Sequence, residues 1–168
     1  MNMVTTYHLE MLDRNDLRPK PAPPGFDLVH VDSPTPTLNQ NFYHKVGADW
    51  QWSGRLKWSA DKWSEHVNSS RLHTFVGQMN GQPIGYVELE QQVENSVEIL
   101  YFGLLPDAIG KGLGGAFLSG VVEQAWRLPG TRRVWLHTCT DDHPHALDNY
   151  KARGFKLFKT ERKQLEDT

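Results

Sequence analysis

One short segment of the chain, residues 97–105, is apolar at both of its alternating sets of positions. The two sets are Val97, Ile99 and Tyr101 on one side and Leu100, Phe102 and Leu104 on the other. A strand with one solvated face alternates apolar and polar residues, whereas a strand that is apolar throughout is covered on both faces of its sheet. The segment therefore predicts a central strand with packed layers on both sides, as in an α/β protein.

The segments on either side of this strand predict a hairpin before it and a helix after it. Asn80-Gly81 separates the apolar runs 75–79 and 84–89, and this dipeptide favours the positive φ angles of a tight hairpin turn. Across 110–126 the apolar residues recur every three or four positions, as on a helix that packs against a sheet. Residues 132–139 then predict a strand parallel to the central one, because a helical crossover joins the two.

Further elements are predicted nearer the ends of the chain. Short helices are expected at about 37–46 and 60–69. Pro144 and Gly154 bracket another helix, since proline suits a first turn and glycine suits the position just past the end. A last strand is expected at 155–158.

Six of the ten prolines lie within residues 19–36. Because proline fixes φ and lacks an N–H donor, the first four of them predict an extended linker. We expect residues 1–24 to form an N-terminal segment and this linker, with an added strand near 7–12. Residues 25–168 are expected to form one domain.

The charge and cysteine content argue against several classes of protein. Eighteen Lys and Arg against twenty Asp and Glu give a net charge of −2, which disfavours a nucleic-acid or membrane-surface partner. Cys139 is the only cysteine, so no intrachain disulfide can form and a reducing compartment is expected. The first twenty residues lack the apolar core of a signal peptide, and the apolar stretch 99–105 is too short to span a bilayer. The sequence therefore predicts a cytoplasmic protein.

Residues 109–115 contain a cluster of glycines where the long helix is expected to begin. Gly114, Gly115 and Gly120 fall inside that helix, where each glycine costs about 1 kcal/mol relative to alanine. One explanation is close packing of the helix on the sheet. The other is a bound anion, because a helix N-terminus offers unpaired N–H groups and glycines let phosphate oxygens approach them.

Three kinds of phosphate site compete for this cluster. A P-loop requires Gly-Lys-Ser/Thr, and Lys111 is followed by Gly112 instead. The letters Gly110-x-Gly112-x-x-Gly115 fit a dinucleotide fingerprint, but the acid expected about twenty residues later is absent from 131–133. A nucleotide-binding oxidoreductase fragment is therefore an alternative, and the third kind of site binds the diphosphate of an acyl carrier.

Two stretches of the chain resemble motifs of the GNAT N-acetyltransferase superfamily. Residues 97–106 followed by 110–114 resemble motif A, and residues 143–155 resemble motif B, so the likeness covers about 75–158. The resemblance implies a mixed central sheet with antiparallel N-terminal strands and two splayed parallel strands, flanked by helices. It also implies an acetyltransferase of bacterial type that acts on a small amine or a protein.

The resemblance implies acetyl-CoA as the acyl donor and no metal. The residues that it assigns to acetyl-CoA are Phe102, Gly103, Leu104, Gly110, Lys111, Gly112, Leu113, Gly114, His143 and Tyr150. Backbone N–H groups of 110–114 would hold the diphosphate, and the strand at 102–104 would pair with the pantetheine arm and donate an N–H to the thioester carbonyl. Two positions depart from the family pattern, since Ile109 stands where Arg or Gln is usual and His143 where Asn is usual.

Tyr150 and Glu98 are the candidate catalytic residues. Tyr150 occupies the tyrosine of motif B, which the resemblance places near the thioester sulfur, and a phenol there can donate a proton or a hydrogen bond to the thiolate. A core tyrosine is the alternative. Glu98 is a carboxylate in an apolar strand, where burial raises a pKa, and it stands fourteen residues before Gly112, like the general base of the family's histone-type members. Glu88 and Glu90 are alternatives for the base or for binding a cationic acceptor. A water chain is a further alternative to a base, and pairing with Arg or Lys is the alternative role for Glu98.

Two further clusters carry chemically versatile side chains. Residues 137–145 hold three histidines, two aspartates and Cys139, but they lack zinc-finger spacing, so we expect no metal site. His137 is expected to help shape the acceptor site. Four tryptophans lie within 50–63, where they form either an aromatic pocket for an organic amine or a packed cluster.

These observations predict an enzyme that transfers an acetyl or short acyl group from CoA to a primary amine, by direct attack in a ternary complex. The alternative is a non-catalytic acyl-CoA-binding or regulatory module with the same fold. The expected partner is a small-molecule or peptide amine. The sequence leaves open whether the chain forms a homodimer.

Overall fold

The computed structural model describes residues 3–50 and 52–164, and within them seven strands form one mixed sheet. The strands are β1 (Met3–Met11), β2 (Phe26–Val31), β3 (Leu72–Met79), β4 (Gln82–Gln92), β5 (Ser96–Leu104), β6 (Arg133–Cys139) and β7 (Lys156–Gln164). The helices are α1 (Pro36–Gly47), α2 (Ala60–Val67), α3 (Gly114–Arg127) and α4 (Ala146–Ala152). The order of strands across the sheet is β2-β3-β4-β5-β6-β1-β7.

The two parallel strands, β5 and β6, are paired over only part of their length. Their ladder runs from Ser96 opposite Arg133 to Ile99 opposite Leu136 and stops there. Beyond that point the strands part, while the other five strand pairs are antiparallel. The predicted mixed sheet with two splayed parallel strands is confirmed.

A β-bulge in β5 explains why this strand is apolar at both sets of positions. Glu88 of β4 lies opposite Tyr101 and Leu89 lies opposite Ile99, so Leu100 is an extra residue without an opposite partner. The bulge reverses the alternation of side chains. Ile99 therefore packs in the core on the α3 side, whereas Tyr101 packs on the opposite face. The prediction from strict alternation, that Ile99 and Tyr101 lie on the same face of the sheet, is therefore wrong.

Both faces of the sheet are covered, as the apolar strand predicts. On one face α3 buries Phe117, Leu118 and Val121 completely. On the other face a smaller core forms between the sheet and α1 and α2, and it consists of Tyr43, Val46, Trp63 and Tyr86. Each of these two helices begins at a hydroxyl cap, Thr35 for α1 and Ser59 for α2, which accepts a backbone N–H of the first turn.

Strand β1 lies inside the sheet, between β6 and β7. Its residues Leu9 and Met11 are completely or almost completely buried. The proline-rich stretch therefore connects two strands of one sheet, β1 and β2, rather than joining a separate N-terminal segment to the sheet. It runs back across α3, where the N–H of Lys20 donates to Ser119 Oγ at 2.8 Å. The edge strand β2, which begins directly after this stretch, was not predicted from the sequence.

Three element boundaries differ from the predicted ones for physical reasons. Helix α3 begins at Gly114 rather than 110, because Gly110 and Gly112 have φ of +81° and +74° and cannot continue a right-handed helix. Helix α4 begins at Ala146, two residues after Pro144. Strand β7 extends to residue 164 because it pairs with β1 from Met3 to Glu10.

No helix in the described ranges combines the length and apolar content that crossing a bilayer requires.

Leu9→Ala tests whether β1 is integral to the core. Leu9 is fully buried where β1 pairs with β6, so the cavity left by this change is expected to lower the free energy of unfolding by about 2–5 kcal/mol. Denaturant titration followed by tryptophan fluorescence measures it. Leu12→Ala, at a residue 62% exposed just beyond the strand, is the matched control with an expected change within about 0.5 kcal/mol. Equal stability of the two variants would contradict an integral β1.

Candidate active site

A cavity of about 510 Å³ opens where β5 and β6 part. At one end it is lined by the loop and first turn that lead into α3, residues 109–115. At the other end it is lined by Trp50, Trp52 and Tyr101, on the face of the sheet that α1 covers. The cavity therefore passes between the two strands and joins the two faces of the sheet.

The loop before α3 presents bare backbone to this cavity. A Cβ built on Gly110 or Gly112 would meet nothing within 4 Å, so these glycines serve their positive φ rather than tight packing. Leu113 occupies the N-cap of α3, and no side chain caps the helix there. The first N–H groups of α3 consequently lack intrahelical or capping partners, which is the arrangement that binds an anion.

Positive side chains gather around the same first turn. A Cβ on Gly115 would lie 2.7 Å from Lys20 Cδ and 3.0 Å from Arg153 Nη1, so both side chains pack against this glycine. Lys20 also lines the cavity. The Nε and Nη1 atoms of Arg153 are buried and have no hydrogen-bond partner within the described residues. These cations add to the positive end of the helix dipole.

The edge of β5 that faces the cavity is unpaired beyond the parting. Phe102, Gly103 and Leu104 line the cavity, and no described strand lies opposite them on this side. A Cβ on Gly103 would lie 2.4 Å from Val46 Cγ1, so only glycine fits between β5 and α1. An extended ligand chain can add to such an edge through main-chain hydrogen bonds.

Of the ten residues predicted to hold the donor, nine line the cavity. The exception is Lys111, whose exposed side chain lies between two lining glycines. His143 lines the cavity where its ring meets that of Trp50, with centroids 4.9 Å apart. The structure therefore brings together the loop, the β5 edge and motif B around one cavity.

Tyr150 lines the cavity from α4 and is 7% exposed. Burial raises the pKa of its phenol far above the ordinary value, and the negative charge of Asp142 raises it further. The phenol therefore keeps its proton throughout the physiological range and acts as a hydrogen-bond donor. Its ring also packs near Phe102 and Phe155, at centroid distances of 6.3 and 6.2 Å, so the structural role is present as well.

Asp142 connects the two sides of the cavity. Its Oδ1 accepts a hydrogen bond from the indole N–H of Trp52 at 3.0 Å. Its Oδ2 accepts from the hydroxyl of Thr138 and from the N–H of Cys139. The carboxylate thus ties the segment after α1 to the loop after β6, and it lines the cavity between them.

His137 and Cys139 also line the cavity. Burial and the neighbouring His8 lower the pKa of His137, so its imidazole is neutral at neutral pH and can accept a proton. Burial raises the pKa of the Cys139 thiol, which makes it a poor nucleophile. Within the described residues no three His, Cys, Asp or Glu side chains are grouped to hold a metal ion.

Glu98 does not line the cavity with Tyr150. It lies at the paired end of β5, opposite Trp135 of β6, and is 8% exposed. Burial raises its pKa, although the hydrogen bond from Gln92 at 2.8 Å opposes this shift. The bulge at Leu100 places Glu98 on the face of Tyr101, rather than on the face of Phe102 that alternation predicted.

Glu88, an alternative base, is committed to a buried network. It is completely buried, and its carboxylate accepts hydrogen bonds from Arg55 Nη1 at 2.7 and 2.9 Å. His66 Nε2 and Asn39 Nδ2 lie 2.7 and 3.1 Å from the same carboxylate. Burial alone would raise the pKa of Glu88, but these hydrogen bonds and the Arg55 charge outweigh burial and lower it. Glu88 is therefore a structural anion, not a group exposed to an acceptor.

The sequence reasoning missed three residues at this site. Lys20 comes from the linker, more than ninety residues before the loop that it packs against. Asp142 was noted only within the 137–145 cluster. Asn149 donates to the carbonyl of Gly114 at 3.2 Å and so joins α4 to the start of α3. Asn149 and Asp142 fall in or beside motif B, which was the available signal, whereas no local signal pointed to Lys20.

Comparisons with known proteins agree with this geometry. The acetyltransferase (GNAT) family model matches residues 35–155. A GCN5-related N-acetyltransferase from Kribbella flavida gives a TM-score of 0.68 at 17% identity, over 93% of this chain and 55% of that one. Another from Sphaerobacter thermophilus gives 0.68 at 16% identity, over 96% and 51%. The chain thus spans about half the length of these two structures.

A third similar structure is an aminoglycoside acetyltransferase from an uncultured soil metagenomic sample, solved in complex with sisomicin. It gives a TM-score of 0.61 at 11% identity, over 77% of this chain and 87% of that one. At such identities the likeness to solved structures shows the fold alone. None of the curated protein sequences matches the chain significantly.

Glu88→Gln tests whether the buried network holds the second core together. Removing the charge leaves Arg55 buried without its counter-ion, which is expected to cost about 3–5 kcal/mol at neutral pH. The lowered pKa of Glu88 stabilises the wild-type fold above the ordinary carboxyl pKa of 4.5, and that stabilisation is lost as the pH falls through the folded-state pKa. Urea titrations at neutral and acid pH should therefore show the gap between variant and wild type closing on acidification.

Glu65→Gln, at an exposed position of α2 close to His66, is the matched control and is expected to follow the wild type at both pH values. A gap that stays constant with pH would contradict the assignment of the charge to Glu88.

Proposed function

This chain belongs to the acetyltransferase (GNAT) family, and we propose that it transfers an acetyl group from acetyl-CoA to a primary amine by direct attack in a ternary complex. The observation that carries the proposal is the single cavity that joins the uncapped start of α3 to an aromatic end on the opposite face. A donor and an acceptor that enter from opposite faces meet between β5 and β6. Transfer then needs no covalent intermediate on the protein.

The residues present fit acetyl-CoA as the donor. The N–H groups of 110–114 offer partners to its diphosphate, because the glycines leave that backbone open and no side chain caps α3. Lys20 and Arg153 add positive charge beside the same turn, where Ile109 supplies none. The free edge of β5 at 102–104 suits the amide-bearing arm of the donor.

The reaction requires one bond to form and one to break. The nitrogen lone pair of the neutral amine attacks the thioester carbonyl carbon, and the C–S bond breaks as the amide forms. Backbone N–H groups of the β5 edge are positioned to stabilise the oxyanion in between. The Tyr150 phenol donates a hydrogen bond to the departing sulfur, since its raised pKa favours donation over ionisation.

The amine must also lose a proton, and we assign its acceptance to Glu98 through water. The pKa of Glu98 is raised in the direction of neutral pH, and a general base works best when its pKa lies near the working pH. Its position outside the cavity lining makes a bridging water necessary. His137 is the second candidate, because it is neutral and lines the cavity directly.

A non-catalytic acyl-CoA-binding module is the competing function. The observation that favours it is that Glu98, the proposed carboxylate base, is not among the residues that line the cavity. The two functions share the donor site and differ only in turnover. The sisomicin complex of one structural neighbour makes small-molecule amines the first acceptors to test.

Release of CoA in the presence of an amine tests the proposed function. The protein is incubated with acetyl-CoA and a panel of primary amines, and free thiol is measured. Tyr150→Phe is expected to lower kcat about ten- to a hundredfold with little change in KM for acetyl-CoA, because the hydrogen bond matters only once charge develops on sulfur. Binding of acetyl-CoA without acetylation of any amine would favour the binding module.

Glu98→Gln tests the base. In the wild type, activity should fall as the pH drops below the raised pKa of Glu98, because the protonated carboxyl cannot accept a proton. The variant is expected to lose about tenfold or more in kcat near neutral pH, and to recover as the pH approaches the pKa of the amine itself. Glu94→Gln, at an exposed position just before β5, is the matched control and is expected to keep the wild-type profile. An unchanged pH profile in E98Q would mean that another group accepts the proton of the amine. H137Q would then be the next variant to test.

A further inference from the structure

The end of the cavity beyond the parting of β5 and β6 has an unusual charge composition. Among the described residues that line the whole cavity, Asp142 is the only acidic one. Lys20, which lines the cavity, and the start of α3 lie at the other end. An amine that enters from the α1 face therefore meets one negative charge.

The hydrogen bonds of Asp142 leave room for one more donor. An ionised carboxylate has about four acceptor positions. Trp52 occupies one position on Oδ1, while the Thr138 hydroxyl and the Cys139 N–H occupy those of Oδ2. One position on Oδ1 stays open, on a side chain that lines the cavity. Because the indole N–H of Trp52 occupies the other position of Oδ1, it also fixes the direction in which the open position points.

Aromatic rings flank this carboxylate. The rings of Trp52 and Tyr101 lie with centroids 4.8 Å apart, and both line the cavity. Trp50 lines the same end against His143. Aromatic faces attract a cation and cover an apolar body, but they offer nothing to neutralise a second charge at a distance.

The two buried acids on this face, Glu88 and Glu98, are already bound. Glu88 is fully buried and pairs with Arg55, and Glu98 accepts from Gln92 outside the cavity lining. A second ammonium group on the acceptor would have to lose hydration without a counter-ion, which is costly in a partly closed site.

From this arrangement we infer that the acceptor is a small amine with a single positive charge and an apolar or aromatic body, and that Asp142 positions its nitrogen. The inference rests on the proposed function and names its substrate class. The Asp142 carboxylate binds the ammonium form and then accepts an N–H from the neutral amine. The rings of Trp50, Trp52 and Tyr101 cover the body of the molecule. Polyamines and aminoglycosides fall outside this class.

Ligand binding tests the inference independently of turnover. Calorimetry on the protein loaded with CoA, which carries no acetyl group to transfer, compares 2-phenylethylamine with 2-phenylethanol, which has the same body and no charge, and with the polycations spermidine and kanamycin. The amine is expected to bind about tenfold or more tightly than the alcohol, and also more tightly than either polycation. Stronger binding of spermidine or kanamycin would overturn the inference.

Asp142→Asn locates the effect. The variant is expected to weaken 2-phenylethylamine about tenfold more than it weakens 2-phenylethanol, because the lost charge acts only on the ammonium group. The amide nitrogen that replaces one carboxylate oxygen also disturbs a hydrogen bond of Trp52, Thr138 or Cys139, and that effect is the same for both ligands. Asp141→Asn, at the neighbouring acid outside the cavity lining, is the control and should bind like the wild type. Equal weakening of amine and alcohol would show a structural role only, and so overturn the assignment.

Failure of the inference is distinguishable from failure of the proposed function. Selective binding of the monoamine without CoA release would support the acceptor class and contradict catalysis. CoA release that is fastest with a polycation would support catalysis and contradict the acceptor class. The wild-type ligand comparison needs no variant, so it decides the inference even if D142N does not fold.

Discussion

The parting of β5 and β6 after Ile99 and Leu136 is the feature on which the rest of the site depends. A parallel ladder that stops in the middle of a sheet leaves backbone N–H and C=O groups without partners, and buried groups of this kind must be satisfied by something else. The gap becomes a cavity because helix α3 on one face and the tryptophan-bearing segment on the other keep the two strands covered. The bulge at Leu100 marks the same place, since it turns the β5 chain as the ladder ends.

A buried ion pair maintains the covering layer on the acceptor side. Glu88 projects from the sheet into the small core beneath α1 and α2, where Arg55 and His66 meet it. The guanidinium of Arg55 also lies 4.4 Å from the Tyr101 ring centroid and 4.6 Å from that of Trp58. Burying these charges is costly, so the pair contributes specificity more than stability. Arg55 follows Trp52 by three residues, so the pair also holds this segment against the sheet.

The apolar run at 97–105 and the glycines at 109–115 were sufficient to predict the central strand, the parallel pair and the glycine-rich loop that precedes α3. Both signals are local, because periodicity and backbone freedom are properties of a few adjacent residues. The place of β1 between β6 and β7 could not be predicted, since the choice of strand partner depends on distant parts of the chain. The position of Lys20 and the bulge in β5 could not be predicted for the same reason. The bulge changed the face of the sheet on which Glu98 lies.

The charges at the two ends of the cavity also bear on its centre, where Tyr150 lies. The carboxylate of Asp142 is one of the causes that raise the pKa of this phenol, because a nearby negative charge opposes its ionisation. An ammonium group held by Asp142 would cancel that charge and make the phenol a stronger hydrogen-bond donor. Occupation of the acceptor end would then favour departure of the thiolate at the centre. In the proposed mechanism, a donor bound alone would find Tyr150 in its weaker state, so the thioester would be less prone to loss before an amine arrives.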